Sequence, residues 1–333
     1  MRIVMDLGTC EFRAGMSGQK EFINESSVVA RDQSGQFIVG NQAEQMLGRN
    51  PHSIQVGFPV VGGIIKDMEA AREVVKHAVS TFRSRTFGKK FSLTLSIPSQ
   101  MTQIEKRALQ DAGAMAGANH VELFDSSIAA AIGAGLPMDT SRGYLIVNLG
   151  AGVTEVSLLS MGGIVQSKSV RTGSRSIDEG LVETARKQFQ FLIGQRSAER
   201  LKHMYGEDKD AREFEVRGRS LTTGLPDSLN IPRSVVEELF NRYYESIHTL
   251  ILHSLEAAPP ELVGDILDHG MILVGGGAKA TDLQTMILKT TEIPVIVADE
   301  PDTCIIRGLL QTDLAKQSGK LPWKRLKRNY QES

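Results

Sequence analysis

The chain has 333 residues, 41% of them apolar and 23% charged, with net charge -1 and a pI near 6.7. That composition is globular rather than disordered, and it carries no global positive field to draw nucleic acid. Two cysteines, Cys10 and Cys304, cannot build a disulfide framework or a four-cysteine metal site, and no apolar run is long enough to span a bilayer.

At this length two domains of roughly 150 residues are expected. The N-terminus enters a strand at once, so no signal peptide is expected and the cytoplasm is the expected compartment. Residues 1–30 read as three short strands, with turns at Gly8 and around Gly15 to Gly18. A hairpin at Gln33-Ser34-Gly35 and a short helix near 43–47 follow. Apolar residues at Ala71, Val74, Val75, Ala78 and Phe82 then keep helical spacing. A strand over 91–97 stops at Pro98, and Thr102 with Glu105 forms the capping box of a helix running to about 116. A short strand over 121–124 leads to a small-residue helix over 128–133, which Ser126 or Ser127 is expected to cap.

Residues 145–155 read Leu-Ile-Val-Asn-Leu-Gly-Ala-Gly-Val-Thr-Glu: a strand, a glycine-spaced turn and the start of a returning strand. The same figure opens the chain as Ile3-Val4-Met5-Asp6-Leu7-Gly8-Thr9, and both copies continue into similar second turns, Met16-Ser17-Gly18 and Met161-Gly162-Gly163. The chain therefore looks internally duplicated. Helices are expected over 177–189, 196–204 and 235–255, around a strand and loop region at 213–230. A buried strand over 271–274 ends in Gly275-Gly276-Gly277, followed by a helix from Thr281, a strand over 295–297 and a last helix over 302–316. The tail, 321–333, is basic and aromatic.

Glycine turns after strands let backbone N–H groups cradle phosphate oxygens. One such turn is weak evidence; three in order carry more. The order Asp-Leu-Gly-Thr, Leu-Gly-Ala-Gly-Val-Thr-Glu, Val-Gly-Gly-Gly-Ala resembles the two phosphate loops and the adenosine loop of the actin superfamily. Within it the chain most resembles the MreB family, on Asn24-Glu25-Ser26-Ser27-Val28-Val29, Ala43-Glu44-Gln45-Met46-Leu47-Gly48-Arg49, Gly63-Ile64-Ile65-Lys66-Asp67, the run from Ile193 to Lys202, Glu215-Val216-Arg217-Gly218-Arg219 and Thr222-Thr223-Gly224-Leu225-Pro226.

The resemblance implies an actin-like α/β fold of two duplicated, ribonuclease H-like domains around a nucleotide cleft. Residues 1–140 would form the first domain, with an inserted lobe at about 31–63 and residues 305–333 returning to it. Residues 141–304 would form the second, with a lobe at about 177–241. ATP or ADP with Mg²⁺ is the implied ligand. Gly8, Thr9 and Cys10, with Gly150, Ala151 and Gly152, would hold the phosphates through backbone N–H groups. Glu11, Val153 and Thr154 fall in the same turns. Glu199 and Lys202 would reach the ribose and His203 would lie beside the adenine, with Arg200 and Leu201 between them. Gly275, Gly276, Gly277, Ala278 and Lys279 would pass under the nucleoside, and Asp6 would orient the Mg²⁺ hydration shell.

Two departures weaken the implied chemistry. Asn148 stands where the family carries a second aspartate, and Ser126 where it carries the glutamate that positions the attacking water. Asp125 is adjacent in sequence and expected to point elsewhere. Glu11 would bring negative charge towards the phosphates. A nucleotide-binding protein with slow or absent hydrolysis is the resulting expectation. Head-to-tail protofilaments under the inner membrane, organising cell shape and wall synthesis with membrane-anchored partners and without nucleic acid, are the implied role. A filament with another cargo, an adaptor with a decayed site and a small-molecule kinase remain alternatives. Phe82, Phe87 and Phe91 among four cations, and Trp323 in the basic tail, are candidate membrane contacts.

Overall fold

The computed structural model describes residues 1–83 and 90–318. In the first half, β1 (Arg2–Leu7), β2 (Glu11–Met16) and β3 (Phe22–Ser26) form the expected antiparallel meander. A small sheet follows from β4 (Val29–Arg31), β5 (Phe37–Val39) and, after helix α1 (Asn41–Met46), β6 (Gln55–Gly57). A two-stranded ribbon, β7 (Val60–Val61) and β8 (Ile64–Ile65), turns at Gly62 and Gly63. Then come α2 (Met68–Arg83), β9 (Ser92–Ile97), α3 (Gln103–Met115), β10 (His120–Asp125) and α4 (Ser126–Gly133). The main sheet has the order β10-β9-β1-β2-β3, and β9 runs parallel to both β1 and β10.

The second half repeats this pattern. β11 (Tyr144–Leu149), β12 (Thr154–Ser160) and β13 (Gly163–Val170) form a meander; α5 (Arg175–Gln188), β14 (Phe191–Leu192), α6 (Gln195–Glu207), β15 (Glu213–Ser220), β16 (Pro226–Pro232) and α7 (Arg233–Glu256) follow. The chain closes with α8 (Pro260–His269), β17 (Met271–Val274), α9 (Thr281–Thr291), β18 (Val295–Val297) and α10 (Cys304–Ser318). Its main sheet, β13-β12-β11-β17-β18, joins β17 to β11 in parallel. Three strands in meander and two in parallel is thus the plan of both sheets.

Hydrophobic spacing explains the packing. Val74, Val75, Ala78 and Phe82 of α2 face Ile3, Met5, Leu93 and Leu95 of the first sheet. Leu145, Val147 and Leu158 of the second sheet share one core with Ile177 and Leu181 of α5, Leu201 of α6, and Phe214, Val216 and Ile231 of the smaller sheet. α4 is edged on one side by Ile146, Leu159 and Val274 of the second sheet, while its Ala129 joins Val4 of the first sheet and Ile306, Leu309 and Leu310 of α10. α4 and α10 thus pack against both sheets.

Several expectations are corrected. Asp125, not Ser126 or Ser127, caps α4: its carboxylate accepts from the backbone N–H of Ser127 and Ile128, and Ser126 is already the first helical residue. Residues 213–230 form a hairpin rather than a strand and loop, because Phe214, Val216 and Ile231 alternate inward. Helix α8 was not foreseen; Pro260 begins it, and only Ile266 is buried, which leaves little periodic signal. Phe82 and Phe91 are 6% and 5% exposed and lie in the first core, so neither is a membrane contact. Phe87 and Trp323 lie outside the described residues. Among those described, no helix is long and apolar enough to cross a membrane.

Candidate functional site

The two glycine hairpins face each other across a cavity of about 390 Å³. Each turn closes the same way: the Gly8 N–H donates to the Glu11 carbonyl at 3.0 Å, and the Gly150 N–H donates to the Val153 carbonyl at 3.0 Å. These glycine donors are therefore spent inside the turns. The N–H groups that an anion in the cleft could draw on are those of Thr9 and Cys10 on one side and Ala151 and Gly152 on the other, which corrects the expectation for Gly8 and Gly150.

The second turn is pinned from behind, where Ser174 and Arg175 N–H groups donate to the carbonyls of Gly150 and Ala151. The first turn is held by the Ser27 hydroxyl on the Gly8 carbonyl at 2.9 Å. The ribbon between β7 and β8 ties the two together: the Gly62 N–H donates to Thr9 Oγ1 at 3.1 Å, and a Cβ on Gly152 would lie 2.2 Å from Thr9 Oγ1 and 2.9 Å from the Gly62 nitrogen. Further contacts join the halves. Arg171 pairs with Glu105 at 2.6 Å, and the Arg175 guanidinium lies 3.8 Å over the Phe58 ring.

Cross-strand register decides which side chains share the cleft, since directly opposed antiparallel residues project to one face. Asp6 opposes Arg13, and Asn148 opposes Glu155. All four line the cavity. Burial raises the Asp6 pKa, against a hydrogen bond from Ser96 Oγ at 2.6 Å and the nearby Arg13 charge. Arg13 is 8% exposed and pairs with Glu11 at 2.6 Å, so the negative charge expected from Glu11 is largely answered. The Arg13 Nε is buried without a partner. Asp302 holds Lys279 at 2.9 Å and approaches Arg13 at 3.5 Å. Although burial opposes it, the Lys279 bond helps keep the Asp302 carboxyl below the usual range. Burial pushes the Cys10 thiol up to about 11, so it stays protonated at neutral pH.

Gly275, Gly276, Gly277 and Lys279 also line the cavity. Gly275 has φ 84°, and a Cβ there would lie 2.6 Å from the Leu149 carbonyl oxygen, so only glycine fits. On α6, Glu199 and His203 are exposed, and Glu199 and Lys202 are close enough to Cys10 for their charges to act on its thiol. Lys202 is committed to Asp178 at 2.6 Å, a carboxyl whose pKa burial raises despite that partner. Arg200 is exposed. Leu201, Ala278 and Thr154 are corrections. Leu201 and Ala278 have no exposed surface and lie in the second core. The Thr154 hydroxyl turns inward to the Thr172 carbonyl at 2.8 Å.

Arg13, Ser96, Glu155 and Asp302 were missed by sequence. A hairpin register drawn from the glycine turns would have put Arg13 opposite Asp6 and Glu155 opposite Asn148. Ser96 and Asp302 come from other strands and helices and left no local signal. Among the described residues, no group of three His, Cys, Asp or Glu could hold a metal. Asp6 alone suits Mg²⁺ only as a cation that keeps most of its waters and takes other oxygens from phosphate.

Burial, reinforced by the Glu155 charge, lifts the Asp125 carboxyl to about 6. A folded-state value above the unfolded one means stability falls as pH rises between about 4 and 6. Asn caps a helix as well as Asp. Between pH 4 and pH 7, the stability difference should therefore shift towards Asp125→Asn by about 1–2 kcal/mol, discounted for partial exposure. Urea denaturation of both proteins at the two pH values measures it.

A family model described as MreB/Mbl protein matches residues 1–318. The chain is 38% identical over 314 residues to the cell shape-determining protein MreB of Escherichia coli (strain K12), covering 91% of this chain and 90% of the relative. It is 32% identical over 311 residues to the cell shape-determining protein Mbl of Bacillus subtilis (strain 168), covering 92% and 93%. Among solved structures, MreB 5 of Spiroplasma citri bound to AMPPNP superposes with a TM-score of 0.86 at 30% identity, covering 98% of both chains. A MamK double helical filament superposes with a TM-score of 0.74 at 21% identity, covering 95% and 99%, a likeness of fold alone.

Proposed function

The chain belongs to the MreB/Mbl family, and from that premise we propose that it is an actin-like cytoskeletal protein whose subunits stack into filaments when the cleft holds a nucleotide. One observation carries the reading: two duplicated glycine hairpins, one from each sheet, meet across a single cavity, with the Thr9 side chain of one turn set against Gly152 of the other. The Spiroplasma citri neighbours are described as bound to ADP and to AMPPNP, and the MamK neighbour as a filament.

The site residues divide the work. Backbone N–H groups of Thr9, Cys10, Ala151 and Gly152 receive the phosphates, and the buried Arg13 cation adds charge behind them. Asp6 would orient the waters of a bound Mg²⁺, with Asn148 offering a neutral amide in place of a second charge. Gly275 to Gly277 leave room for the nucleoside, and Glu199 and His203 stand at the rim nearest α6. Assembly is head to tail through a heterologous contact, which extends rather than closes. Such filaments are further proposed to lie in the cytoplasm, under the inner membrane, beside membrane-anchored partners of wall synthesis, a reading supported by the description of the relatives as cell shape-determining proteins.

Electron microscopy of the purified full chain, with ATP, with ADP and without nucleotide, tests this. Filaments that need ATP support the reading; monodisperse protein under all three conditions contradicts it. Addition of anionic liposomes tests the membrane part, with filaments expected on the lipid surface. ATP consumption that appears only with an added small molecule would favour a kinase.

A further inference from the structure

Ser126, the first residue of α4, donates its hydroxyl to Glu155 Oε2 on β12 at 2.8 Å, in a buried bond that joins the two halves of the chain. Glu155 is 1% exposed. Its other oxygen accepts from the Ser99 N–H at 2.8 Å and from Ser167 Oγ at 3.3 Å. Three donors fix the carboxylate in place. A serine hydroxyl has one proton and two lone pairs. With the proton committed to Glu155, what Ser126 can present to the cleft is an acceptor.

Position supports the same use. Ser126 and Glu155 line the cavity with Asp6, Ser96 and Asn148. Asp125 accepts the two N–H groups it caps through Oδ1 and does not line the cavity, whereas Ser126 and Glu155 do. The acid missing from the start of α4 has a counterpart one strand away, reached through the serine.

We propose that Ser126 and Glu155 act as one unit that orients and deprotonates the water attacking a nucleoside triphosphate in this cleft; the inference rests on the nucleotide reading above. In the step, the water oxygen bonds to the terminal phosphorus and the bond to the bridging oxygen breaks, with its electron pair leaving on the diphosphate. The water proton passes to Ser126 Oγ as the serine proton passes to Glu155 Oε2. Ser126 is the catalytic residue, since it touches the water. Glu155 is a positioning residue that also receives the proton. Turnover is slow, because a serine between base and water adds a transfer, but it is not lost.

The test uses the full chain with Mg²⁺-ATP, measuring phosphate release at saturation and, separately, affinity for a fluorescent ATP analogue. Ser126→Ala and Glu155→Gln should each lower turnover by about 100-fold, the scale of a lost general base, while nucleotide affinity and melting temperature hold. Combining them should cost no more than either alone. Ser126→Thr and Glu155→Asp should restore part of the rate. Wild-type protein that binds the analogue but releases no phosphate overturns this inference and leaves nucleotide binding standing. So does Ser126→Ala turning over at the wild-type rate, or a loss of affinity and melting temperature in parallel with rate. Wild-type protein that binds no nucleotide overturns the reading of the cleft and this inference together.

Discussion

Gly308→Val is expected to unfold the chain or lower its stability by more than about 3 kcal/mol, the upper range of overpacking. α4 and α10 cross with almost no space between their backbones. A Cβ at Gly308 would lie 1.8 Å from the Ala129 carbonyl oxygen, and one at Gly133 would lie 1.8 Å from the Cys304 carbonyl oxygen. Both obstacles are backbone atoms inside helices, so no side chain can swing aside. The crossing would have to open. Opening it would pull Ala129 from Val4 and Ala131 from the core around Ile146, which couples the damage to both sheets. Gly264 is the control: it is exposed in α8, and a Cβ there would meet open space, so Gly264→Ala should gain about 0.5–1 kcal/mol from helix propensity. Chemical denaturation of the three proteins checks both signs.

Gly152→Val should weaken nucleotide binding by about 10- to 100-fold, with only a small change in melting temperature, because 1–3 kcal/mol of crowding falls on the clamp itself. A side chain there meets Thr9 of the opposing turn and the Gly62 backbone of the ribbon. The two turns must then separate, and their N–H groups cannot converge on one phosphate chain. The core is untouched, since Leu149 and Thr154 on either side of the turn keep their buried positions. Titration with a fluorescent ATP analogue, alongside thermal melting, separates this result from general destabilisation. Unchanged affinity would mean that the turns do not act jointly.

Period-2 and period-3.6 patterns made most of the fold legible in the sequence. The capping box at Thr102 and Glu105 is present in both directions, and the meander at each chain half is where its apolar alternation put it. Short-range chemistry was legible wherever one segment made the whole feature. What stayed hidden depended on partners distant in sequence. Asp125 took the cap from Ser126 because a carboxylate reaches two N–H groups at once, leaving the serine free for Glu155, 29 residues on. Glu11 looked like an unanswered charge until Arg13, two residues later on the same side of β2, was found folded over it. Phe82, at a helical apolar position, and Phe91, at the start of a strand, could by sequence serve either the core or a membrane; both lie in the first core, Phe82 in the last turn of α2 and Phe91 just before β9.

The same limit applies to the candidate site. Glycine turns announced where phosphate could lie, since small residues at fixed spacing are a local signal. They did not announce that Gly8 and Gly150 spend their own N–H groups closing the turns, nor that a ribbon at Gly62 bridges them. The serine and amide at positions 126 and 148 read as losses one at a time. The register of β11 and β12 set the buried Glu155 opposite Asn148, and α4 brought Ser126 within hydrogen-bond distance of the same carboxylate.

A crystal structure of the full chain with AMPPNP and Mg²⁺ tests the central claim most directly. One nucleotide should lie in the cavity, its phosphates within hydrogen-bond distance of N–H groups from both the Thr9–Cys10 turn and the Ala151–Gly152 turn. Phosphates held by one turn alone, or a nucleotide bound outside that cavity, would contradict it.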